Sequence, residues 1–100
     1  MKEIILSADG DSTVWSVPDP VADDLETYCL EFCDHWLKES PDAAPYRQSG
    51  GLCYTEADFI DWLNRFVFPD EPSVLIRNLG WTGAPNGMPE AYAGHPYFNF

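Results

Sequence analysis

The sequence predicts an α+β fold in which an N-terminal antiparallel β-hairpin packs against two amphipathic helices. Three observations favour it: two β-rich segments flank a turn sequence near the N-terminus, a long apolar stripe of helical period follows them, and a second such stripe lies further along the chain. With 100 residues, of which 45% are hydrophobic, the chain has enough apolar material for one core. We therefore expect a single domain over residues 1–100.

The hairpin is predicted from residues 2–8 and 13–17, which are β-rich and flank the turn sequence Asp9-Gly10-Asp11-Ser12. Strand side chains alternate between the two faces of a sheet, so one face is expected to be the core side. The residues on that face are Ile4, Leu6, Trp15 and Val17. Ile5 and Val14 point the other way, which indicates that the second face is also partly covered.

The first helix is predicted over residues 20–39, with Asp19 as its N-terminal cap and Pro20 in the first helical position. Its apolar stripe consists of Val21, Leu25, Tyr28, Cys29, Phe32 and Trp36, extended sideways by Leu30, Cys33 and Leu37. A stripe of this width predicts burial on two sides or an interface. Ser40-Pro41 ends the helix, because helical geometry is disfavoured for a residue that precedes proline.

A loop is predicted from residue 42 to 51, followed by a short strand Leu52-Cys53-Tyr54 and a second helix over about residues 56–68. The segment Thr55-Glu56-Ala57-Asp58 resembles a capping sequence for that helix. Its buried face is predicted to carry Phe59, Ile60, Trp62, Leu63, Phe66 and Val67, and its exposed face Asp58, Asp61, Asn64 and Arg65.

A short third helix is predicted over residues 73–79, with the glycine that follows as its cap. Val74-Leu75-Ile76 alone is equally typical of a buried strand. In the Gly-, Pro- and aromatic-rich tail over residues 81–100, Pro89-Glu90-Ala91-Tyr92 is predicted to form a helical turn. The ending Pro96-Tyr97-Phe98-Asn99-Phe100 is too apolar for a free terminus, so we expect an ordered tail that docks on the domain.

Segments from most of the chain resemble a pattern found in small uncharacterised bacterial proteins. They are Val17-Pro18-Asp19-Pro20-Val21-Ala22-Asp23-Asp24-Leu25, Tyr28-Cys29, Phe32, Trp36-Leu37, Asp58-Phe59-Ile60, Leu63-Asn64, Phe68-Pro69 and Phe98-Asn99-Phe100. The resemblance implies a compact bacterial domain. It implies no activity, substrate or partner, and most of the matched positions are those assigned above to the core and the caps.

The charge balance is strongly acidic, with 17 Asp and Glu against 5 Lys and Arg and a formal net charge of −12. Such a surface repels nucleic acid and anionic membranes, so we expect no direct binding to either. The simplest interpretation is a surface that keeps the protein monodisperse, and the sharper one is a ligand for a basic protein partner. The chain shows no apolar run long enough for a membrane span or a signal peptide, which favours the cytoplasm.

An odd number of cysteines, Cys29, Cys33 and Cys53, favours reduced thiols over a disulfide framework. Cys29 and Cys33 lie one helical turn apart, a spacing at which two side chains can bind one metal ion. A structural zinc site needs four ligands, and of the remaining candidates, Cys53, His35 and His95, His35 falls on the polar side of the helix. Buried packing of both thiols is therefore favoured, and no metal or other cofactor is predicted.

For function, the sequence favours a small interaction or adaptor domain without catalysis. One alternative is an acidic mimic of DNA that inhibits a basic partner, and another is a homo-oligomer that associates through the first helix. A third is a small enzyme with a pocket near Cys53 and His95, although no basic neighbour or glycine-rich loop is present to activate the thiol. No catalytic residue is predicted.

Overall fold

A computed structural model describes residues 1–8, 11–48, 51–52, 54–81, 90–92 and 94–100, and it confirms the α+β class. The described strands are β1 (Lys2–Ala8), β2 (Asp11–Val17), β3 (Arg47–Gln48), β4 (Gly51–Leu52), β5 (Val74–Trp81) and β6 (Tyr97–Asn99). Four of them form one sheet of order β5-β2-β1-β6, and β3 pairs with β4 separately. The helices pack on one face of the larger sheet.

The predicted N-terminal hairpin is confirmed. β1 and β2 pair antiparallel from Lys2 opposite Val17 to Ala8 opposite Asp11. β2 therefore includes Asp11 and Ser12, which were predicted to lie in the turn, and Asp9 and Gly10 lie outside the described residues. The predicted core side faces the helices, and Ile4 and Leu6 on it have no exposed surface. The second face is covered as well, since its Ile5 and Val14 are fully buried: Ile5, 0%; Val14, 0%.

The aromatic tail docks on the domain, as predicted, and it adds a strand that the sequence did not predict. β6 runs parallel to β1, with Ile5 opposite Tyr97. Hydrogen bonds extend this pairing at both ends: Ile5 N–H donates to the Pro96 carbonyl at 2.8 Å and Phe100 N–H donates to the Ser7 carbonyl at 2.8 Å. Two parallel strands pair through residues far apart in the chain, so no local sequence pattern predicts the pairing.

The predicted first helix is present but interrupted. Its segments are α1 (Asp19–Asp23), α2 (Leu25–Leu30), a π-helix (Glu31–Trp36) and α3 (Leu37–Glu39). The break between α1 and α2 falls at Asp24, whose φ of −142° and ψ of 47° are not helical. The helix ends at Ser40, as predicted. In its last turn, the Leu37 carbonyl accepts a hydrogen bond from Arg47 Nη1 at 2.9 Å, a partner from outside the helix.

The predicted cap at Asp19 is wrong. Pro18 occupies the N-cap position of α1, Asp19 is already helical, and no side chain caps the end. The Asp19 carboxylate instead contacts the N-terminal ammonium of Met1 at 3.0 Å, and Lys2 Nζ contacts Asp23 at 2.5 Å. The chain start that leads into β1 lies beside this end of α1, so the Asp19 carboxylate pairs with the N-terminal ammonium instead of capping the helix. The local cap pattern cannot predict this contact, because the ammonium is distant in sequence.

The extent of the second helix matches its prediction, whereas Asn64, predicted to be exposed, is half-buried. The helix consists of α4 (Glu56–Trp62) and a π-helix (Leu63–Val67). A capping box closes its start, where Thr55 N–H donates to the Asp58 carboxylate at 2.8 Å. On the predicted exposed face, Asp61 and Arg65 form an ion pair at 3.3 Å. Before this helix, the segment predicted as a loop contains a 3₁₀-helix (Pro41–Tyr46) and β3, while residue 53 lies outside the described residues.

The predicted third helix over residues 73–79 is wrong, because the segment forms β5. The strand alternative is right, although Val74, Leu75 and Ile76 are exposed rather than buried. Pairing with β2 overrides the helical preference, since β2 supplies backbone partners along one side of the segment. Gly80, expected to cap a helix, lies within β5 at a positive φ of 71°, next to a shift of register between β2 and β5. The predicted helical turn near residue 90 is present as a 3₁₀-helix (Glu90–Tyr92).

Candidate interaction surface

Phe32 is the centre of an aromatic cluster that joins the two helices to the tail. It has no exposed surface, and its ring centroid lies 5.8 Å from that of Trp36 in a stacked arrangement. The other rings around it belong to Tyr54 at 5.6 Å, Phe59 at 5.7 Å, Trp62 at 5.6 Å and Phe100 at 6.3 Å. Tilted and edge-to-face contacts of this kind stabilise beyond the area they bury. The cluster therefore packs the two helices and the tail together beneath the surface.

The cluster continues to the surface through Trp36, which is half-buried in the π-helix after α2. Its ring contacts Phe66 at 5.4 Å and Tyr46 at 6.1 Å. Phe66 is 44% exposed, although its helical position predicted burial. We call Trp36, Tyr46 and Phe66 the aromatic patch. Exposed aromatic rings that rest on a packed core are typical of protein interfaces.

Charged groups surround the aromatic patch. The Arg65 guanidinium lies 5.2 Å from the centroid of the Phe66 ring and pairs with Asp61. Burial raises the pKa of the Tyr46 hydroxyl, and the nearby carboxylates of Asp58 and Asp61 raise it further. The carboxylates of Asp58 and Asp61 therefore lie near enough to Tyr46 to act on its hydroxyl. Cations and hydrogen-bond donors are the groups that fit beside it.

An acidic surface lies along the first helix. Seven of the 17 acidic residues lie between residues 19 and 39, and all seven are exposed. They are Asp19, Asp23, Asp24, Glu26, Glu31, Asp34 and Glu39, which we call the acidic helix face. Lys38 is the only Lys or Arg between residues 19 and 39, and it lies 3.9 Å from Asp34. The aromatic patch adjoins this face in sequence, because Trp36 lies between Asp34 and Glu39.

His35 binds two carboxylates on the acidic helix face. Its Nδ1 lies 2.6 Å from Glu31 and its Nε2 lies 2.5 Å from Glu39, one turn away on either side. The hydrogen bond and charge of Glu31, with the charge of Glu39, raise the pKa of His35. Because both ring nitrogens face carboxylates, the doubly protonated imidazolium fits the site best. The position on the polar side of the helix was predicted correctly, and it leaves His35 away from the cysteines.

The predicted packing of Cys29 is confirmed, and Cys33 is half-buried beside the core. Burial raises the pKa of both thiols, and at Cys33 the nearby charge of Asp34 raises it further. A raised pKa keeps a thiol protonated, which disfavours both metal binding and nucleophilic attack. Within the described residues, no three His, Cys, Asp or Glu side chains form a group that would hold a metal ion.

The two histidines lie in separate surroundings within the described structure. His95 lies 3.6 Å from Glu3, and its ring centroid lies 5.3 Å from that of Tyr92. His35 is on the helix, bound to Glu31 and Glu39. Cys53, the proposed nucleophile, lies outside the described residues. The pairing of Cys53 with His95 therefore stays untested.

Fold and surface together define a small α+β domain whose described surface combines the aromatic patch with the acidic helix face. Comparison with models of known families, with curated proteins and with solved structures finds no match. The resemblance to small uncharacterised bacterial proteins stays a prediction. Among the described helices, none has the length and apolar character needed to cross a membrane.

Sequence reasoning missed the aromatic patch. It assigned Trp36 and Phe66 to buried stripes, because both have the helical spacing of core residues. The π-helical segments that contain them change this spacing by widening the turn, which rotates later side chains relative to an α-helix. The one available signal was the excess of large aromatic side chains, with aromatics at 15% of the chain.

Proposed function

We propose that this protein is a small acidic interaction domain of the cytoplasm, without catalysis, that binds a basic segment of a partner protein. The segment would lie along the acidic helix face and place an apolar or cationic side chain on the aromatic patch. The observation that carries the proposal is the exposed ring of Phe66, which contacts Trp36 in a tilted arrangement and lies beside Arg65, the partner of Asp61.

The charges support a cationic partner. The described cations of the helical layer are already engaged, because Lys38 is paired with Asp34, Arg65 with Asp61, and Arg47 with a backbone carbonyl. The carboxylates of Asp24, Glu26 and Asp42 remain exposed on the same layer. Lysine and arginine of a partner can pair with such carboxylates, and arginine also stacks on aromatic rings.

The test is fluorescence anisotropy of a labelled decapeptide made of alternating Arg and Leu, titrated with the full chain. An alternating Glu and Leu decapeptide is the control probe. We expect the basic peptide to bind, with an affinity that falls as salt is added, because exposed charges are screened. We expect the acidic peptide not to bind.

Three variants test whether the peptide binds at the proposed surface or is attracted only by the net negative charge of the protein. Phe66→Ser removes the exposed ring, and Asp61→Asn removes a carboxylate beside it. Asp11→Asn, which changes the charge by the same amount at an exposed position of the strand β2, outside the proposed surface, is the matched control. We expect the first two to weaken binding by about tenfold and the third to have little effect. Equal losses in Asp61→Asn and Asp11→Asn, with none in Phe66→Ser, would contradict the proposed surface.

A further inference from the structure

β5 lies at one end of the sheet and presents an unusually apolar edge. It pairs with β2 on one side, and among the described residues no strand pairs with its other side. Val74 is 51% exposed, Leu75 53% and Ile76 47%. Three consecutive apolar residues, half-exposed on both faces of an edge strand eight residues long, form the kind of edge that pairs with another strand.

The local charge restricts what that second strand is. Residues 72–81 contain no acidic side chain and one cation, Arg77, in a chain that carries 17 acids. A basic partner would meet no carboxylate on this strand and would face Arg77. Two copies of the chain, each with a net charge of −12, repel one another least where acids are absent. The composition of β5 therefore favours a second copy over the basic partner proposed for the aromatic patch.

The segment that contains β5 is also self-complementary in the antiparallel sense. With Leu75 opposite Leu75 of the second copy, Val74 lies opposite Ile76, so the exposed apolar residues cover one another. In the same register, Arg77 lies opposite Ser73 and diagonal to Glu71 of the second copy, within reach of a long side chain. Glu71 and Arg77 are both exposed. Two-fold symmetry repeats this opposite-charge contact at each end.

We infer that two copies of this protein associate through antiparallel pairing of their β5 edges, which joins the two sheets into one continuous sheet. This dimer does not use the first-helix interface that the sequence analysis gave as one alternative. Of the leucines that suggested it, Leu37 is fully buried in the core and Leu30 is 39% exposed. The dimer leaves the aromatic patch on the helical layer of each copy.

The test is sedimentation equilibrium of the full chain over a wide range of concentrations. We expect a monomer–dimer equilibrium for the natural sequence. Leu75→Lys places a cation at the centre of the pairing and should abolish the dimer. Because Leu75 is 53% exposed, this variant should fold, which its circular dichroism spectrum checks. Leu30→Lys is the control, an equally drastic change at an exposed leucine of α2, and it should leave the dimer unchanged.

A charge exchange tests the register. We expect Glu71→Arg and Arg77→Glu alone each to raise the dissociation constant by about tenfold, because each creates two contacts of like charge. The double variant should restore the dimer. A monomer at every concentration, a broad distribution of larger species, or a dimer lost in Leu30→Lys and kept in Leu75→Lys would overturn the inference. Dimerisation without the predicted pattern of loss and rescue would overturn the pairing register.

Discussion

The side-chain amide of Asn64 forms two hydrogen bonds with the backbone of Ser73. Ser73 N–H donates to Asn64 Oδ1 at 2.6 Å, and Asn64 Nδ2 donates to the Ser73 carbonyl at 3.1 Å. Ser73 immediately precedes β5 and is buried, so its backbone groups have lost water and take their partners from the second helix. This contact fixes where the edge strand begins relative to the helical layer.

We expect Asn64→Ala to lower the free energy of unfolding by about 1–3 kcal/mol, because it leaves a buried N–H and a buried carbonyl without partners. Urea denaturation followed by circular dichroism measures the change. Asn99→Ala is the matched control, since Asn99 is exposed on β6, and we expect a change of about 0.5 kcal/mol or less. Equal effects of the two substitutions would show that the contact with Ser73 does not stabilise the fold.

Phe32 and Phe66 belong to the same aromatic cluster and differ in burial. We expect Phe32→Ala to cost about 3–5 kcal/mol, because it leaves a cavity among the surrounding rings, and to unfold much of the protein. Phe66→Ala should cost about 1 kcal/mol, because the ring is 44% exposed and contributes less transfer free energy. Thermal denaturation of the two variants compares them directly. Similar melting temperatures would contradict the assignment of Phe66 to the surface.

His35 should make stability depend on pH. Glu31 and Glu39 raise its pKa in the folded protein, so the protonated form is favoured by folding. This contribution is fully present below the unfolded pKa of about 6.5 and is lost as the pH rises through the higher folded value. We expect His35→Gln to reduce the free energy of unfolding at pH 5.5 and to change it little well above the folded pKa.

Nuclear magnetic resonance titration of the His35 ring tests the cause of this pH dependence. We expect a pKa above the ordinary value in the natural protein, and a lower one in Glu31→Gln, since Glu31 contributes most to the shift. The His35→Gln variant assigns the resonance against that of His95. A His35 pKa that does not respond to Glu31→Gln would rule out the bridging contact in solution.

The two described cysteines should differ in reactivity. In a Cys53→Ser background, we expect Cys33 to react slowly with a thiol reagent in the folded state and Cys29 to react only after unfolding. Cys29 is fully buried and Cys33 is half-buried, and burial raises the pKa of both thiols. The ratio of folded to unfolded labelling rates, read by mass spectrometry for each cysteine, checks this. Fast labelling of Cys29 in the folded state would contradict its place in the core.

Local patterns predicted most of the secondary structure. The hairpin, the extent of the two helices and the capping box at Thr55 follow from periods of two and of about three and a half residues and from side chains that bond to nearby backbone. The same rules failed at residues 73–79. There the pattern allowed a helix or a strand, and only the neighbouring strand β2 decided between them.

The aromatic patch could be predicted only in part. Helical spacing identified Trp36 and Phe66 as one set of apolar residues with Phe32, and it could not say that Phe66 lies at the rim of the packed layer. That depends on which other elements pack over Phe66, and on the π-helical turns that contain both side chains. The burial of a side chain depends on the elements that pack against its helix, and the sequence of one helix does not show which elements these are.

The sequence by itself determined the α+β class, the strong acidity, the hairpin with its core face, and the apolar faces of both helices. Each follows from contacts between residues close in the chain or from composition. The tertiary structure decided the parallel pairing of β6 with β1, the strand at β5, the loss of the cap at Asp19 to an ion pair, and the exposure of Phe66. These depend on groups that are distant in sequence, which meet only when burial of the common core pays for ordering the chain between them.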